Sequence, residues 1–544
     1  MTDGAGGSQS KSVGQIASAA GVVGLATLLS RTLGFVRDVA FAWLFGTGMM
    51  ADAFFAAFRI PSTLRELLGE GALSAAFIPA FTRTATRDGP QAAWTLASKV
   101  MGTLVVVLVV VTGIGVLCAP WIAQGIAWGW RGVPGKLALT ATLLRIMFPY
   151  ILLVGLAALF MAILNSLGHF LTPALSPTVL NLVIIAAALL VAPRSSTPVF
   201  PIAIAVVVGG VGQLAIQVPA ALACGWHPTF RVAPRDPAVR EIARLMLPGV
   251  AGLAVTQVNV FVGTLLASLL PEGSVAAMGY AFRLVQYPIG VVGVSIATGA
   301  LPVMSKAYAQ DAVDDMKRAL RDSLRLAIFL TLPAMVGLIL FGTAIVGVLF
   351  ERGAFARSAT ILTASVLCAY AVGLVFYIAN RILAPAFYAM RDTWTPMVTG
   401  VVSVGVNMAA SLVFMGPLGA AGLALGTAVA SASNCAQLVL RLRRRVGLLG
   451  GRVILRAAAR VGLACVPMAV WGVGAQAWCD VLGIPSLLGR VGLLAVYVGG
   501  AGALFVVAAV VLRCEELTWT WDLLRRRMRR RDPAKARSSG SVRS

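Results

Sequence analysis

Residues 97–123 read ASKVMGTLVVVLVVVTGIGVLCAPWIA, with Lys99 the one charged side chain in the stretch. A helix rises about 1.5 Å per residue, so a run of this length crosses the roughly 30 Å hydrocarbon core of a bilayer. It is too long for a buried strand, and too uniformly apolar for a helix that shows one face to water. Comparable runs, separated by Gly, Pro or charge, lie on both sides of it: at 14–43 and 51–80 before it, then at 139–166, 173–192, 200–224, 245–270, 277–305, 322–350, 358–387, 394–415, 420–441, 454–478 and 487–512. The chain therefore reads as an all-α integral membrane protein with about fourteen transmembrane helices.

Composition agrees. The 544 residues are 59% hydrophobic and 12% charged, with a mean hydropathy of +0.90. Soluble domains carry roughly a quarter charged residues, so this chain lacks the polar surface to coat a globule. Lys and Arg outnumber Asp and Glu by 44 to 20, a formal net charge of +24. A nucleic-acid partner is not implied, because the basic residues sit in short runs between apolar stretches and not on one solvated face. The seven cysteines are scattered without a CxxC pair and read as packing residues. The polar stretch from Met1 to Gln15, with its single Lys11, reads as a short tail before a retained first helix.

Alternate loops divide the basic residues very unevenly. The side that holds the N-terminus collects about 31 Lys and Arg, including Arg443-Arg444-Arg445 and the cluster from Arg525 to Arg531, while the other side collects about 5. Both termini are thus expected in the cytoplasm. The segment from Arg513 to Ser544, with Trp519 and Trp521 before its arginines, reads as a polybasic tail lying on anionic lipid.

The chain also repeats itself. Ala57-Phe58-Arg59-Ile60 recurs as Ala281-Phe282-Arg283-Leu284, Phe77-Ile78-Pro79 as Ala300-Leu301-Pro302, and Thr172-Pro173 as Thr395-Pro396, all at an offset of about 223 residues; Asn181 and Asn407 lie close to it. Six helices read as duplicated in the same orientation, giving two pseudo-symmetric six-helix lobes plus two C-terminal helices. The expected organisation is a tail at 1–13, an N-lobe at 14–224, a cytoplasmic linker at 225–244, a C-lobe at 245–441, two further helices within 442–512, and the basic tail at 513–544. Two facing lobes are the architecture of an alternating-access carrier, whose site lies at their interface near the midplane.

Ionisable groups inside spans cost at least ~2.5–3.5 kcal/mol each, so they default to functional candidates. The first two spans concentrate them: Ser30, Arg31, Arg37 and Asp38 in the first, and Asp52, Arg59, Arg65, Glu66 and Glu70 in the second. Arg31 and Asp38 are two turns apart, on one face. Asp52, Arg59, Thr63, Glu66 and Glu70 fall at steps of seven, four, three and four, one continuous polar stripe. Elsewhere only Arg145, Arg283 and Arg381 lie comparably deep, besides Arg490 near a helix end. For Asp38 and Asp52 the competing reading is neutralisation of arginine between packed helices. The acids are too few to pair with every deep arginine, and the cationic excess implies an anionic ligand. Guanidinium grips phosphate oxygens in a bidentate fork at any physiological pH, which suits a diphosphate. No HExxH, GxxxxGK[ST], GxSxG or clustered Cys/His ligand set is present, so neither a catalytic residue nor a metal ligand is proposed.

The run Ser30-Arg31-Thr32-Leu33-Gly34-Phe35-Val36-Arg37-Asp38, then Ala51-Asp52-Ala53-Phe54-Phe55, then Phe58-Arg59-Ile60-Pro61 through Leu64-Arg65 to Gly69-Glu70-Gly71-Ala72, resembles the N-terminal signature of the MurJ (MviN) lipid II flippase family of the MOP exporter superfamily. The likeness continues through Phe148-Pro149-Tyr150, Ile163-Leu164-Asn165, Pro173, Pro177 and Asn181, Arg283 to Pro302, Leu383 to Tyr388, and Gly422 to Leu425, roughly residues 14–510 in all.

The resemblance implies a carrier, not an enzyme, that moves undecaprenyl-diphosphate-linked disaccharide-pentapeptide to the outer leaflet of the bacterial cytoplasmic membrane for peptidoglycan assembly. It implies that Arg31, Arg37, Arg65 and Arg283 line the cavity with the acids Asp38, Asp52 and Glu70, and that the last two helices hold the polyprenyl tail. Two departures alter the cavity charge: Arg65-Glu66 stands where relatives often have two basic residues, and Phe282 where an acid can precede the arginine. Asn259, Asn407, Ser411 and Thr427 match a polar cluster of cation-coupled relatives, with Ser411 in place of a carboxylate. A hard-cation site of neutral oxygens is weak, so sodium coupling stays an open alternative to reset by the membrane potential. No cofactor is expected. The expected partners are lipid II, anionic lipids at the basic tail and cell-wall synthesis proteins, with the carrier itself a monomer. The alternatives are a flippase for another polyprenyl-linked glycan, such as an O-antigen or capsule unit, and a membrane scaffold acting through its basic tail.

Overall fold

Every expected span falls on one helix or on an interrupted pair in the computed structural model, which describes residues 5–67, 73–227, 229–482 and 487–519. The helices are α1 (Ala5–Phe45), α2 (Met49–Leu67), α3 (Leu73–Asp88), α4 (Pro90–Ile126), α5 (Lys136–Met147), α6 (Tyr150–Ser166), α7 (Leu171–Ala186), α8 (Val199–Ala223) and α9 (Pro237–Ser268), followed by α10 (Ser274–Pro288), α11 (Val294–Ala309), α12 (Val313–Phe350), α13 (Arg357–Val372), α14 (Leu374–Ala389), α15 (Trp394–Leu418), α16 (Ala420–Val446), α17 (Gly451–Leu482) and α18 (Leu487–Val511). No strand occurs among the described residues. Among the described residues ten helices or continuous helix runs are long and apolar enough to cross a membrane, and the α13–α14 pair, bent by 43°, makes an eleventh. The stretches outside that set include α1 and α2, the helices that carry the deep charges. The protein is a multi-pass, all-α membrane protein compatible with about fourteen spans.

The duplication is visible in the order of elements. α4 and α12 begin at Pro90 and Val313, and α7 and α15 at Leu171 and Trp394, each pair 223 residues apart. Both halves interrupt their helices at equivalent places: between α5 and α6 at Phe148-Pro149, and between α13 and α14 at Gly373. Where the second half passes from α10 to α11, a π-helical turn, Ile289–Gly293, follows Pro288. Proline lacks the N–H that continues the ladder, so the backbone slips register there.

The chain forms two compact units, Met1–Gly279 with Phe350–Ala359, and Tyr280–Leu349 with Thr360–Ser544. α9 falls in the first unit because it packs on α2, α3 and α4. One core of that unit gathers Phe77, Phe81, Leu96, Leu159, Phe160 and Trp226, with the Phe160 and Trp226 rings edge-on at 5.1 Å. Lipid tails are as apolar as leucine, so helices in a bilayer are held by close packing and polar contacts more than by a hydrophobic gain. α2 fits this: Ala51, Ala53, Ala56 and Ala57 are all fully buried, which lets neighbouring backbones come close. In the second unit Phe329 and Phe341 of α12 meet Val461, Cys465 and Met468 of α17 and Phe505 of α18. The Trp471 indole N–H donates to the Tyr497 carbonyl at 3.0 Å and ties α17 to α18.

Candidate functional site: the polar faces of α1 and α2

Helix α1 is straddled by one side chain of α7. Asn181 donates from Nδ2 to the Ser30 carbonyl at 3.1 Å and accepts at Oδ1 from an Arg37 terminal nitrogen at 3.1 Å. Arg37 gives its other two contacts to one oxygen of Asp38, at 3.1 and 2.7 Å. Asp38 is therefore neutralised by its sequence neighbour. Spacing alone placed it on a face with Arg31, but Arg31 is exposed and makes no hydrogen bond or ion pair with the described residues, whereas Asp38 is buried. Gly34 faces the same asparagine: a Cβ there would lie 3.5 Å from the Asn181 amide, in ordinary contact.

The stripe on α2 is divided. At its start Asp52 is 1% exposed and accepts from Lys136 Nζ, Gly273 N and Ala276 N, each at 2.8 Å. Lys136 is equally buried, with its ammonium 4.3 Å from the centre of the Trp130 ring. Asp52 thus caps α10 from a neighbouring helix, a role that fits charge neutralisation within the packing better than contact with a ligand. Further along, Thr63 donates to Gln257 Oε1 at 2.9 Å and Gln257 Nε2 donates to Glu66 at 2.7 Å, so one buried glutamine of α9 fixes both groups. Arg59 and Arg65 are half-buried. Arg37 and Arg65 both lie within electrostatic range of the Tyr150 hydroxyl on α6, itself 3.5 Å from Gln213 Oε1. Two of the expected arginines, on α1 and α2, thus act on the same tyrosine of α6. Glu70, with Gly69 and Gly71, lies outside the described residues, as does the cluster from Arg525 to Arg531.

Lys136 and Gln257 escaped the sequence reading. Lys136 sits just before an apolar run and looks like a loop residue, and Gln257 is an uncharged residue inside a span. Each pairs with residues that are far away in the chain, 84 and up to 194 positions, which no periodicity reports.

The fourth expected arginine, Arg283, is half-buried on α10 and belongs to the second unit. Of the expected cation cluster, Asn259 belongs to the first unit and the other three to the second. Asn407 and Ser411 are buried on α15, where the Ser411 hydroxyl donates to Asn407 Oδ1 at 3.3 Å. The Thr427 hydroxyl donates to the Leu423 carbonyl of its own helix at 3.1 Å. Beside it α15 and α16 touch: a Cβ on Gly426 would stand 2.4 Å from Ser411 Oγ. Among the described residues no three His, Cys, Asp or Glu side chains form a group that could hold a metal.

The charge balance decides what the α1–α2 face can do. Lys136 offsets Asp52. Among the described side chains of these two helices Arg31, Arg37, Arg59 and Arg65 then stand against Asp38 and Glu66, an excess of two positive charges. Arg37 is held in a fixed orientation, as anion recognition requires.

A family model described as "Lipid II flippase MurJ" matches residues 41–487. A protein named "Probable lipid II flippase MurJ" from Rhizobium tropici is 35% identical over 529 residues, 96% of this chain and 98% of that protein. The "Lipid II flippase MurJ" of Burkholderia cenocepacia is 35% identical over 423 residues, 77% of this chain and 82% of its own length. Among solved structures, "Lipid II flippase MurJ, inward closed conformation" superimposes with a TM-score of 0.71 at 24% identity, covering 89% of this chain and 98% of that one. An inward-facing multidrug resistance MATE family transporter of the MOP superfamily follows the same fold at a TM-score of 0.66 and 16% identity, covering 77% of this chain and 95% of that one. The matched family model spans most of the sequence, and a relative that is 35% identical is covered over nearly its full length: the chain belongs to the MurJ family of lipid II flippases.

Proposed function

We propose that this carrier moves lipid II, the undecaprenyl-diphosphate-linked disaccharide-pentapeptide, from the cytoplasmic to the outer leaflet of a bacterial cytoplasmic membrane by alternating access, without making or breaking a covalent bond. The observation that carries the reading to the substrate's chemistry is the net excess of guanidinium over carboxylate on α1 and α2, with Arg37 oriented by Asp38 and Asn181 and both Arg37 and Arg65 within electrostatic range of Tyr150. Arg31, Arg37 and Arg65 take the diphosphate, and Arg283 supplies a further guanidinium. A diphosphate and two sugars crossing bare hydrocarbon would leave charges and hydroxyls unpaired, so they travel against protein groups while the polyprenyl chain stays in lipid beside α17 and α18.

The basic bias of alternate loops places both termini in the cytoplasm. Substrate neutralises the repulsion among the arginines. The membrane potential, about 2.3 kcal/mol per charge per 100 mV, then draws the cationic empty site back toward the cytoplasm. Sodium coupling through Asn259, Asn407, Ser411 and Thr427 is the competing energy source, and transport that persists without a sodium gradient ends it. The carrier works as a monomer, its basic tail on anionic lipid and within reach of cell-wall synthesis proteins.

The test is flipping of purified lipid II in liposomes. Arg31→Ala and Arg283→Ala each abolish it while the folded protein still inserts. Full activity in both variants sinks the assignment.

A further inference from the structure

Three chain segments of the second unit meet where α12 begins, α17 begins and α18 has ended, which puts them on one side of the membrane. Arg325 of α12, 9% exposed, donates from Nε to Glu516 at 2.7 Å and from a terminal nitrogen to Glu515 at 2.7 Å. Glu516 is 2% exposed, and the Trp519 ring lies 4.7 Å from the Arg325 guanidinium carbon. The hydrogen bond from Arg325 and its charge hold the Glu515 carboxyl below the usual carboxylate range. Both acids are thereby committed.

A concave site of about 190 Å³ opens beside this cluster, lined by Arg325, Arg456, Arg460, Glu515 and Glu516 with Val453 and Ala457. Arg456 and Arg460 are exposed and make no hydrogen bond or ion pair with the described residues, although Arg460 still acts on Glu515 at longer range. They lie four residues apart on α17, one above the other on the same face. The same stretch of helix exposes Leu455 and Leu463, at 71% and 60%, and then Val466 and Val470. In a membrane-spanning helix such residues touch lipid, so the two arginines stand at the lipid boundary. They lie within about 8 to 14 Å of the helix start at Gly451, where a long side chain reaches up to the head-group layer.

We infer that Arg456 and Arg460 bind the phosphate of an anionic phospholipid from the leaflet on this side of the membrane. A guanidinium at this depth needs an anion, the acids at hand are already paired with Arg325, and the lipid phosphodiester is the anion present at that level. Three arginines against two glutamates leave the site one positive charge to accept it. A lipid held there would tie the α17–α18 pair to α12, the helices whose contact forms this unit's core. The site is distinct from the α1–α2 arginines, and its failure would leave the flippase reading untouched.

The test is thermal unfolding of the full-length protein in detergent micelles, titrated with phosphatidylglycerol or with phosphatidylcholine. The wild type gains a saturable rise in midpoint from phosphatidylglycerol and not from phosphatidylcholine. Arg456→Gln with Arg460→Gln weakens the response about tenfold in lipid concentration, while Arg456→Lys with Arg460→Lys retains part of it. A chain lacking residues 525–544 responds as the wild type does. An undiminished response in the glutamine double variant, a response lost with the tail, an equal response to phosphatidylcholine, or a full response to inorganic phosphate alone would each overturn the proposal.

Discussion

The helices α2 and α10 carry nearly the same four-residue word, Ala57-Phe58-Arg59-Ile60 and Ala281-Phe282-Arg283-Leu284, and they use it differently. On both, the alanine is fully buried: Ala57 and Ala281 are each 0% exposed, so the frame of the helix packing survived duplication. Of the polar residues only the arginine of the word itself did. α2 carries Asp52, Arg59, Arg65 and Glu66, with two of its polar stations locked to Lys136 and Gln257, whereas α10 carries Arg283 as its one charged residue and takes its start from the Asp52 carboxylate. Asn181 and Asn407 repeat the lesson on α7 and α15. The first reaches across to α1 and orients Arg37, and the second takes a hydrogen bond from Ser411, one turn along its own helix. Small apolar words record the fold, and the polar residues differ between the repeats in number and in what they touch.

The most severe way to break this asymmetry is at its buried charge pair. Lys136→Met leaves the Asp52 carboxylate without its counter-ion in an apolar setting, and removing one partner of such a pair costs about 3–5 kcal/mol. Thermal unfolding in detergent should show that loss. The double variant Lys136→Met with Asp52→Asn should recover most of it, since the amide oxygen can still accept from Gly273 or Ala276. A double variant as unstable as the single one would mean that the charges themselves hold α10 in place.

Next comes the pair of asparagines. Asn181→Ala removes a hydrogen bond to a guanidinium, worth about 1.5–3 kcal/mol, and releases Arg37 from its fixed orientation. Lipid II flipping should fall by at least about tenfold. Asn407→Ala removes the acceptor of the Ser411 hydroxyl, a neutral bond, and should cost flipping less than Asn181→Ala does unless sodium drives the cycle. Equal losses in the two variants would erase the functional difference between the repeats.

How far these features were legible follows from their physics. Apolar runs of twenty or more residues report spans directly, so each expected stretch coincides with a helix or a broken pair. The breaks inside three of these stretches were not read from the sequence, although they fall at Pro149, Pro288 and Gly373, two residue types that interrupt or weaken helical ladders. The signature residues from Ser30 to Arg65 pointed to the polar face of α1 and α2, yet not to its wiring. Arg31 and Asp38 share a helical face by spacing but not a contact, because Arg37 sits next to Asp38 and closes on it first. Lys136 and Gln257 come from distant segments, and only the folded packing brings them to the stripe.

Gln257 offers a milder test of the same wiring. Gln257→Leu keeps the volume of the side chain and removes the two hydrogen bonds that fix Thr63 and Glu66. Stability should drop by about 1–3 kcal/mol, the cost of leaving buried polar groups unmatched. Any change in flipping beyond that expected from the amount of folded protein would show that Glu66 must be held still for transport.

The smallest effect belongs to α9, the repeat counterpart of α1, which starts on a cap of its own. Asp236 accepts from the Ala238 backbone N–H at 2.9 Å and from Lys99 Nζ at 2.6 Å. The hydrogen bond from Lys99, foremost, keeps this carboxyl below its ordinary value of 3.8 against the opposing effect of partial burial. A carboxyl whose pKa is lower in the folded state binds protons more readily when unfolded, so its stabilising share is complete above that ordinary value and is lost as pH falls through the folded one. Asp236→Ala should therefore lower stability by about 1 kcal/mol at neutral pH, and the gap between variant and wild type should close below about pH 4. A gap that persists unchanged into acid would mean that Lys99 and the helix start are held by packing rather than by the charged cap. α9 would then owe its position to the first unit's core alone, as its packing on α2, α3 and α4 allows.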